Sequence, residues 1–317
     1  MRIVLAVLLI SFAVGTRAQT FPSKPLRIIV PFPAGGIVDL MARTLNEKLA
    51  AGLGQPVLVE ARPGANGSLG TEAVAKSDPD GHTLVLATLS HVTTPALMKT
   101  PWHPLKDFAG VALMGHVANV VVVNPELPPR TLREFVEYAM ARPGKINYIN
   151  AGAGTSQTMS AELFKRNAGL DLVGIGYKGF PPAIGDILSG QVQFSFMPFG
   201  VAAPHIRGGK LRALAVASPA RNRQFPDVPT MAEAGHAESQ VISWYAYLVP
   251  AATPKATLAR LNAEFGKALA DPEIIVRIEK IGGEPLPAGR SEDVDAMLAR
   301  ELERWTKLVQ ATGMKIE

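Results

Sequence analysis

Cysteine does not occur among the 317 residues. Disulfides, thiol nucleophiles and thiolate metal sites are therefore excluded, as is the lipid-attachment cysteine of a lipoprotein. Aromatic residues are 6% of the chain and no run of five basic residues appears, so the charge and stacking footprint of a nucleic-acid binder is missing. No apolar run reaches the roughly 17 to 25 residues of a membrane-spanning helix. The six histidines are scattered without H-E-x-x-H spacing and no G-x-S-x-G elbow occurs, which removes the usual zinc and serine hydrolase patterns. Residues 174–179 formally match G-x-G-x-x-G. Pro181 and Pro182 interrupt the helix that a dinucleotide fingerprint must open, and no acid follows at about 20 residues. No cofactor or metal is expected. An exported hydrolase, which needs a nucleophile, a base and an orienter in one cleft, is the weakest reading.

With 47% hydrophobic and 19% charged residues, the chain can bury a large core and is longer than one average domain, so two lobes are expected. Residues 1–18 have the form of a cleavable export signal: Arg2, an apolar run over residues 3–14, and small residues at Thr16 and Ala18. The formal charge is +5, and removal of Arg2 and Arg17 leaves +3. The mature protein is expected to diffuse freely in the periplasm, without a lipid anchor.

Strands and helices alternate. Residues 26–30 are a β-branched strand, followed by the loop 31–36. Ile37, Met41, Leu45 and Leu49 then recur every four residues, an amphipathic helix ended by Gly52 and Gly54. Further strands are expected at 57–59, 83–88, 117–123, 146–149, 172–175, 191–196, 211–217 and 244–249. Helices are expected at 65–75, after the capping box of Thr131 and Glu134, near 159–167 and at 182–188. Others follow Thr253-Pro254 and Asp271-Pro272 and run on from Ser291. This pattern predicts α/β sheets with helices on both faces. The two lobe crossings are expected in the extended strands 117–123 and 244–249. The first lobe is then residues 19–120 with 247–317, and the second 121–246.

Two loops carry the functional reading. The first, with Gly35 and Gly36, sits between a strand end and a helix start, where unpaired N–H groups and the helix dipole favour an anion. The second, residues 152–157, repeats the arrangement and adds the donors Thr155, Ser156 and Gln157. One such loop is equally a tight turn; two of them, one per lobe, suggest a shared cleft. Asp39 is expected to cap its own helix rather than touch a guest. His91, near Thr88 and Ser90, is a candidate to reach the cleft, although a lone histidine is more often a satisfied structural one. A bulky residue at Gly35 is expected to fill the space of the anion.

The residues 32–36 with Asp39, Ala42 and Arg43 begin a longer pattern. It continues through Arg62-Pro63-Gly64-Ala65-Asn66-Gly67, Pro79-Asp80-Gly81-His82-Thr83-Leu84, Tyr177-Lys178-Gly179, residues 209–216, and Asp227-Val228-Pro229-Thr230 with Glu233 and Gly235. In order and spacing the mature chain resembles the Bug or TctC family, the extracytoplasmic solute receptors of tripartite tricarboxylate transporters. The resemblance implies a type II periplasmic-binding fold: two α/β lobes joined by two crossing strands, with a ligand cleft between them. It implies a small carboxylate ligand, a di- or tricarboxylate, an acidic amino acid or an aromatic acid. The implied partners are integral membrane permease subunits or, in a sensory alternative, a membrane sensor kinase, and the implied state is monomeric and non-enzymatic. Carried over, the binding residues are Phe32, Ala34, Gly35 and Gly36 from the first loop, and Thr155, Ser156 and Gln157 from the second. Thr88, Ser90 and His91 follow the third strand, and Tyr177 and Gly179 close the side. The chain departs from the family where Thr158 replaces a frequent histidine, Gln193 a frequent acid and Gly176 a proline, which leaves room for a neutral or aromatic ligand tail.

Overall fold

The computed structural model describes residues 21–314; the predicted export signal lies outside them. β1 (Leu26–Val30) and β2 (Val57–Ala61) pair in parallel. The helical stripe between them forms two helices, α1 (Ile37–Thr44) and α2 (Asn46–Leu53), with Leu45 at the joint. The Thr44 hydroxyl donates back to the Leu40 carbonyl at 2.9 Å, in the last turn before the joint. The stripe still buries Ile37, Met41, Leu45 and Leu49 in one core. The helix expected over 65–75 is shorter: Ala65 and Asn66 have φ of 46° and 55°, so α3 (Ser68–Ala75) begins after them. β3 (Thr83–Thr88) pairs in parallel with β1 and runs straight into α4 (Ser90–Leu97), a helix that Pro95 and its threonines hide in the sequence.

β4 (Phe108–Val117) is ten residues long and was not expected before its last residue. A single residue, Ala118, separates it from β5 (Asn119–Val123), which belongs to the other sheet. Next come α5 (Leu132–Met140), β6 (Ile146–Asn150), α6 (Ser156–Asn167), β7 (Leu172–Gly176) and α7 (Ile184–Leu188). β8 (Phe194–Pro198), α8 (Phe199–Arg207) and β9 (Arg212–Ala217) complete this part. Thr131 caps α5 as its motif implies, accepting the Glu134 N–H at 3.2 Å, while the Glu134 carboxylate accepts the Arg130 N–H at 2.7 Å.

The chain returns through residues 218–242. β10 (Ser243–Pro250) is paired along its whole length with β4 and also with β3, so it lies entirely in the first sheet. Three helices and a short strand follow: α9 (Lys255–Leu269), α10 (Pro272–Lys280), β11 (Gly283–Pro285) and α11 (Ser291–Thr312). Asp271 caps α10 through the Glu273 N–H at 2.9 Å. Thr253 does not cap α9; its hydroxyl donates to the Pro250 carbonyl at 2.7 Å, and Pro254 holds the capping position.

The strand orders are β11-β4-β10-β3-β1-β2 and β7-β6-β8-β5-β9. Helices cover both faces of each sheet, and each face buries its own apolar cluster. The two lobes touch. Met159 and Leu163 of α6 pack into the first-sheet cluster that holds Trp244 and Trp305, which brings the start of α6 to the carboxyl ends of β1 and β3.

Candidate functional site

The first loop turns sharply at Gly35, whose φ is 77°. Its N–H donates to Asp39 Oδ2 at 3.0 Å, and Arg43 Nε donates to both oxygens of the same buried carboxylate at 3.0 and 3.1 Å. Asp39 thus braces the loop, as its helix position implies. Ala34 and Gly35 are exposed and lie outside the cavity, and the Gly35 amide is already engaged. A Cβ at Gly35 would meet nothing within 4 Å, so the space beside this residue is open. The wall is formed instead by Phe32, Pro33, Gly36, Ile37 and Val38, the last two being the first residues of α1.

The second loop is tied down by hydroxyls. Thr155 caps α6 by accepting the Thr158 N–H, and its own hydroxyl lies 2.9 Å from the Gly152 carbonyl and 3.0 Å from Thr158 Oγ1. Thr158 accepts the Ala151 N–H at 3.1 Å and donates to Asn150 Oδ1 at 3.1 Å. Asn119, fully buried where the chain enters the second sheet, donates to Ser156 Oγ and accepts from Gln157 Nε2, both at 3.1 Å. Two residues expected to meet the guest are therefore locked to the crossing point. Because Ser156 Oγ accepts from Asn119, its hydroxyl hydrogen stays available as a donor.

The first lobe also grips this loop directly. Thr93 donates to the Gly154 carbonyl at 2.5 Å, Thr94 to the Ala153 carbonyl at 3.4 Å, and Asn66 Oδ1 accepts the Ala153 N–H at 3.2 Å. The fit requires glycine at 154, where φ is 81° and a Cβ would lie 2.7 Å from Thr94 Oγ1.

Thr88 lines the cavity, and its hydroxyl is 3.0 Å from that of Ser90. His91 does not join them. Its ring stacks on Trp102 at 4.9 Å, meets Phe108 edge-on at 4.8 Å, and places Nε2 3.0 Å from the Pro104 carbonyl. Burial pushes its pKa down to about 4, so it is a neutral core residue that the sequence does not distinguish from a cleft histidine. Gly179 lines the cavity beside Phe180 and Pro181. Tyr177 does not; burial and a 2.5 Å hydrogen bond from its hydroxyl to Asp186 raise its pKa to about 12. Ser243 and Tyr245 of β10 form the floor, and burial raises Tyr245 to about 12. These two, with Asn119, Asn66, Thr93 and Thr94, are the contributions that local sequence patterns missed.

The enclosed space is about 50 Å³. The residues lining it include no Lys, Arg, His, Asp or Glu. Its donors are hydroxyls, one carboxamide and the opening N–H groups of α1 and α6, which have no acceptor within their own helices. Such an arrangement suits a small anion held by dipoles rather than by a counter-charge. The three departures from the family pattern lie outside these walls: Thr158 in the capping network, Gln193 bracing Asn147 and Gly190, and Gly176 facing open space.

Two α/β lobes with a small cavity between them define a binding protein of the periplasmic-receptor type. The family model described as tripartite tricarboxylate transporter family receptor matches residues 41–314, and the chain belongs to that family. Protein BugT of Bordetella pertussis is 36% identical over 96% of this chain and 94% of its own. The solved periplasmic binding protein BugD superposes with a TM-score of 0.89 at 32% identity, over 94% of this chain and all of that one. MatC from Rhodopseudomonas palustris, solved with bound malate, gives a TM-score of 0.85 at 33% identity, over 91% of this chain and all of its own. No helix among the described residues is long and apolar enough to cross a membrane.

Proposed function

We propose that the chain is exported by its first 18 residues and works in the periplasm as a non-enzymatic receptor for one small carboxylate. Residues 21–118 with 243–314 form one lobe and 119–242 the other. The loaded receptor delivers its solute to the membrane permease subunits of a tripartite tricarboxylate-type transporter. The observation that carries this reading is the convergence of α1 and α6, one from each lobe, on a single cavity walled by neutral donors. An anion bridging both helix starts binds the closed arrangement better than the open one and so drives closure. The malate held by MatC supports a small carboxylate as the class of guest.

Thermal-shift and calorimetric titration against malate, succinate, glutamate and benzoate test the reading. At least one acid is expected to stabilise the protein, by about 2.7 kcal/mol at 100 times its Kd. Absence of stabilisation by any small carboxylate would reject it.

A further inference from the structure

We propose that the side of the molecule away from the cavity carries an electrostatic latch for the open state. When the lobes part, Arg223 of one lobe pairs with Glu279 and Glu284 of the other, so the latch opposes closure on every guest. This goes beyond the carboxylate reading and rests only on rotation of the lobes about their crossings.

The strand orders set the lever. In the first sheet β4 and β10, which border the crossings, lie between β11 at one edge and β3 and β1, whose carboxyl ends reach the cavity. In the second sheet β5 lies between β9 at one edge and β8, β6 and β7, and the loops after β6 and β7 supply cavity wall. Cavity and outer edges therefore stand on opposite sides of the crossings, like the two ends of a see-saw. At the outer end a gap of about 520 Å³ separates residues 220–224, which follow β9, from Glu279 and residues 282–285 around β11. Beside the crossing the lobes meet backbone to backbone. The Phe199 N–H donates to the Ala118 carbonyl at 2.9 Å, and a Cβ at Gly200 would lie 1.8 Å from the Ile281 carbonyl oxygen, so this contact is the fulcrum. At the cavity end the lobes touch, where Thr93 donates to the Gly154 carbonyl at 2.5 Å and Asn66 accepts the Ala153 N–H at 3.2 Å. Parting them there narrows the gap at the other end.

The two walls of the gap differ in charge. The charged residues along it are Arg221 and Arg223 on the second lobe, and Glu279 and Glu284 on the first. Arg221 is committed to Glu233, donating to its two oxygens at 2.8 and 3.1 Å. Arg223, Glu279 and Glu284 are exposed and make no ion pair among the described residues, so nothing ties their side chains away from the gap. Narrowing brings one cation to two carboxylates, whereas the wide gap leaves all three in water. Exposed pairs of this kind are weak, so the latch lowers affinity about two- to fivefold. The factor is the same for each acid, because the latch lies away from the cavity.

Calorimetry with malate, succinate, glutamate and benzoate, and small-angle scattering of the guest-free protein, test the latch. In Arg223→Gln, each acid that binds is expected to bind about two- to fivefold more tightly, and the guest-free radius of gyration is expected to shrink. Arg223→Glu combined with Glu279→Arg and Glu284→Arg is expected to restore the unmodified affinity. The gain in Arg223→Gln is expected to vanish in about 1 M salt, where charges are screened within about 3 Å. Unchanged or weaker binding, or an unchanged radius, would overturn the latch. So would a gain that salt and charge reversal leave untouched. Failure of all four acids to bind would count against the carboxylate reading alone, because the scattering comparison decides the latch by itself.

Discussion

Two adjacent glycines divide the roles of the first loop. Gly35 supplies a left-handed turn and gives its N–H to Asp39, whereas Gly36 has ordinary dihedrals and borders the cavity. A Cβ at Gly36 would lie 3.3 Å from the Pro33 carbonyl and 3.8 Å from Pro181 across the cleft. Gly36→Val is therefore expected to lower the affinity for any bound acid by more than about tenfold, read by calorimetry, because its methyl groups enter the guest's space. Gly35→Ala is expected to cost about 1–2 kcal/mol of stability and to leave affinity nearly unchanged. A reversed pattern would place the anion on Gly35. His91 makes a separate residue-scale prediction. Its folded pKa of about 4 lies below the ordinary 6.5, so the unfolded chain binds the proton more readily between those values. Its contribution to stability is fully present above pH 6.5 and is lost as the pH falls toward 4, on the order of 3 kcal/mol. Denaturant unfolding should show a weaker decline across this window in His91→Phe, which keeps the stack on Trp102.

At the scale of single elements, α6 joins the cavity wall to both lobes. Its start is held from behind by Asn119 and capped by Thr155, while its body packs on the other lobe through Met159 and Leu163. Asn119→Ala leaves Ser156 and Gln157 without their buried partner and is expected to destabilise the protein by about 1–3 kcal/mol. Hydrogen exchange should speed up at the first amides of α6 more than at α5; uniform change would mean that Asn119 matters only to the strand. Much of this element was legible in advance. Gly152, Gly154 and Thr155 announce a loop and a cap, and alternating strands and helices gave the α/β class. The break at Leu45, the late start of α3 and the whole of α4 and β4 were not legible. Ala65 and Asn66 adopt positive φ that local propensity does not favour, and Pro95 inside α4 and the glycines of β4 read as interruptions until neighbouring elements cover them.

For the molecule as a whole, the hydroxyl and amide clasp from Thr93, Thr94 and Asn66 to the second loop ties the two lobes together and is expected to set how readily they close. Thr93 and Thr94 line neither cavity, so weakening their bonds is expected to tax every guest alike. Thr93→Val is expected to lower affinity for each bound acid by the same factor, roughly fivefold if the lost bond is worth about 1 kcal/mol. Small-angle scattering of the unliganded variant should show a larger radius of gyration. Loss for one acid with another spared would place Thr93 in the guest's contact surface instead. The neutral walls add a further expectation. Tyr177 and Tyr245, both near 12, stay protonated, so affinity for a fully ionised acid should be flat from about pH 7 to 9. A steep pH dependence in that range would mean that an ionisable group outside these walls controls binding.

The amino-acid sequence by itself determined the strand and helix alternation, the two glycine loops and the membership of a receptor family, because each is written in residues close together along the chain. Which groups face the guest was decided only in three dimensions. Thr93, Thr94 and Asn66 meet partners 61, 59 and 87 residues away, and Gly35 and His91 leave the cleft because Asp39, Trp102 and Phe108 claim them. A polar group is available to a ligand only when nothing else in the folded chain has satisfied it, and that depends on every segment packed around it.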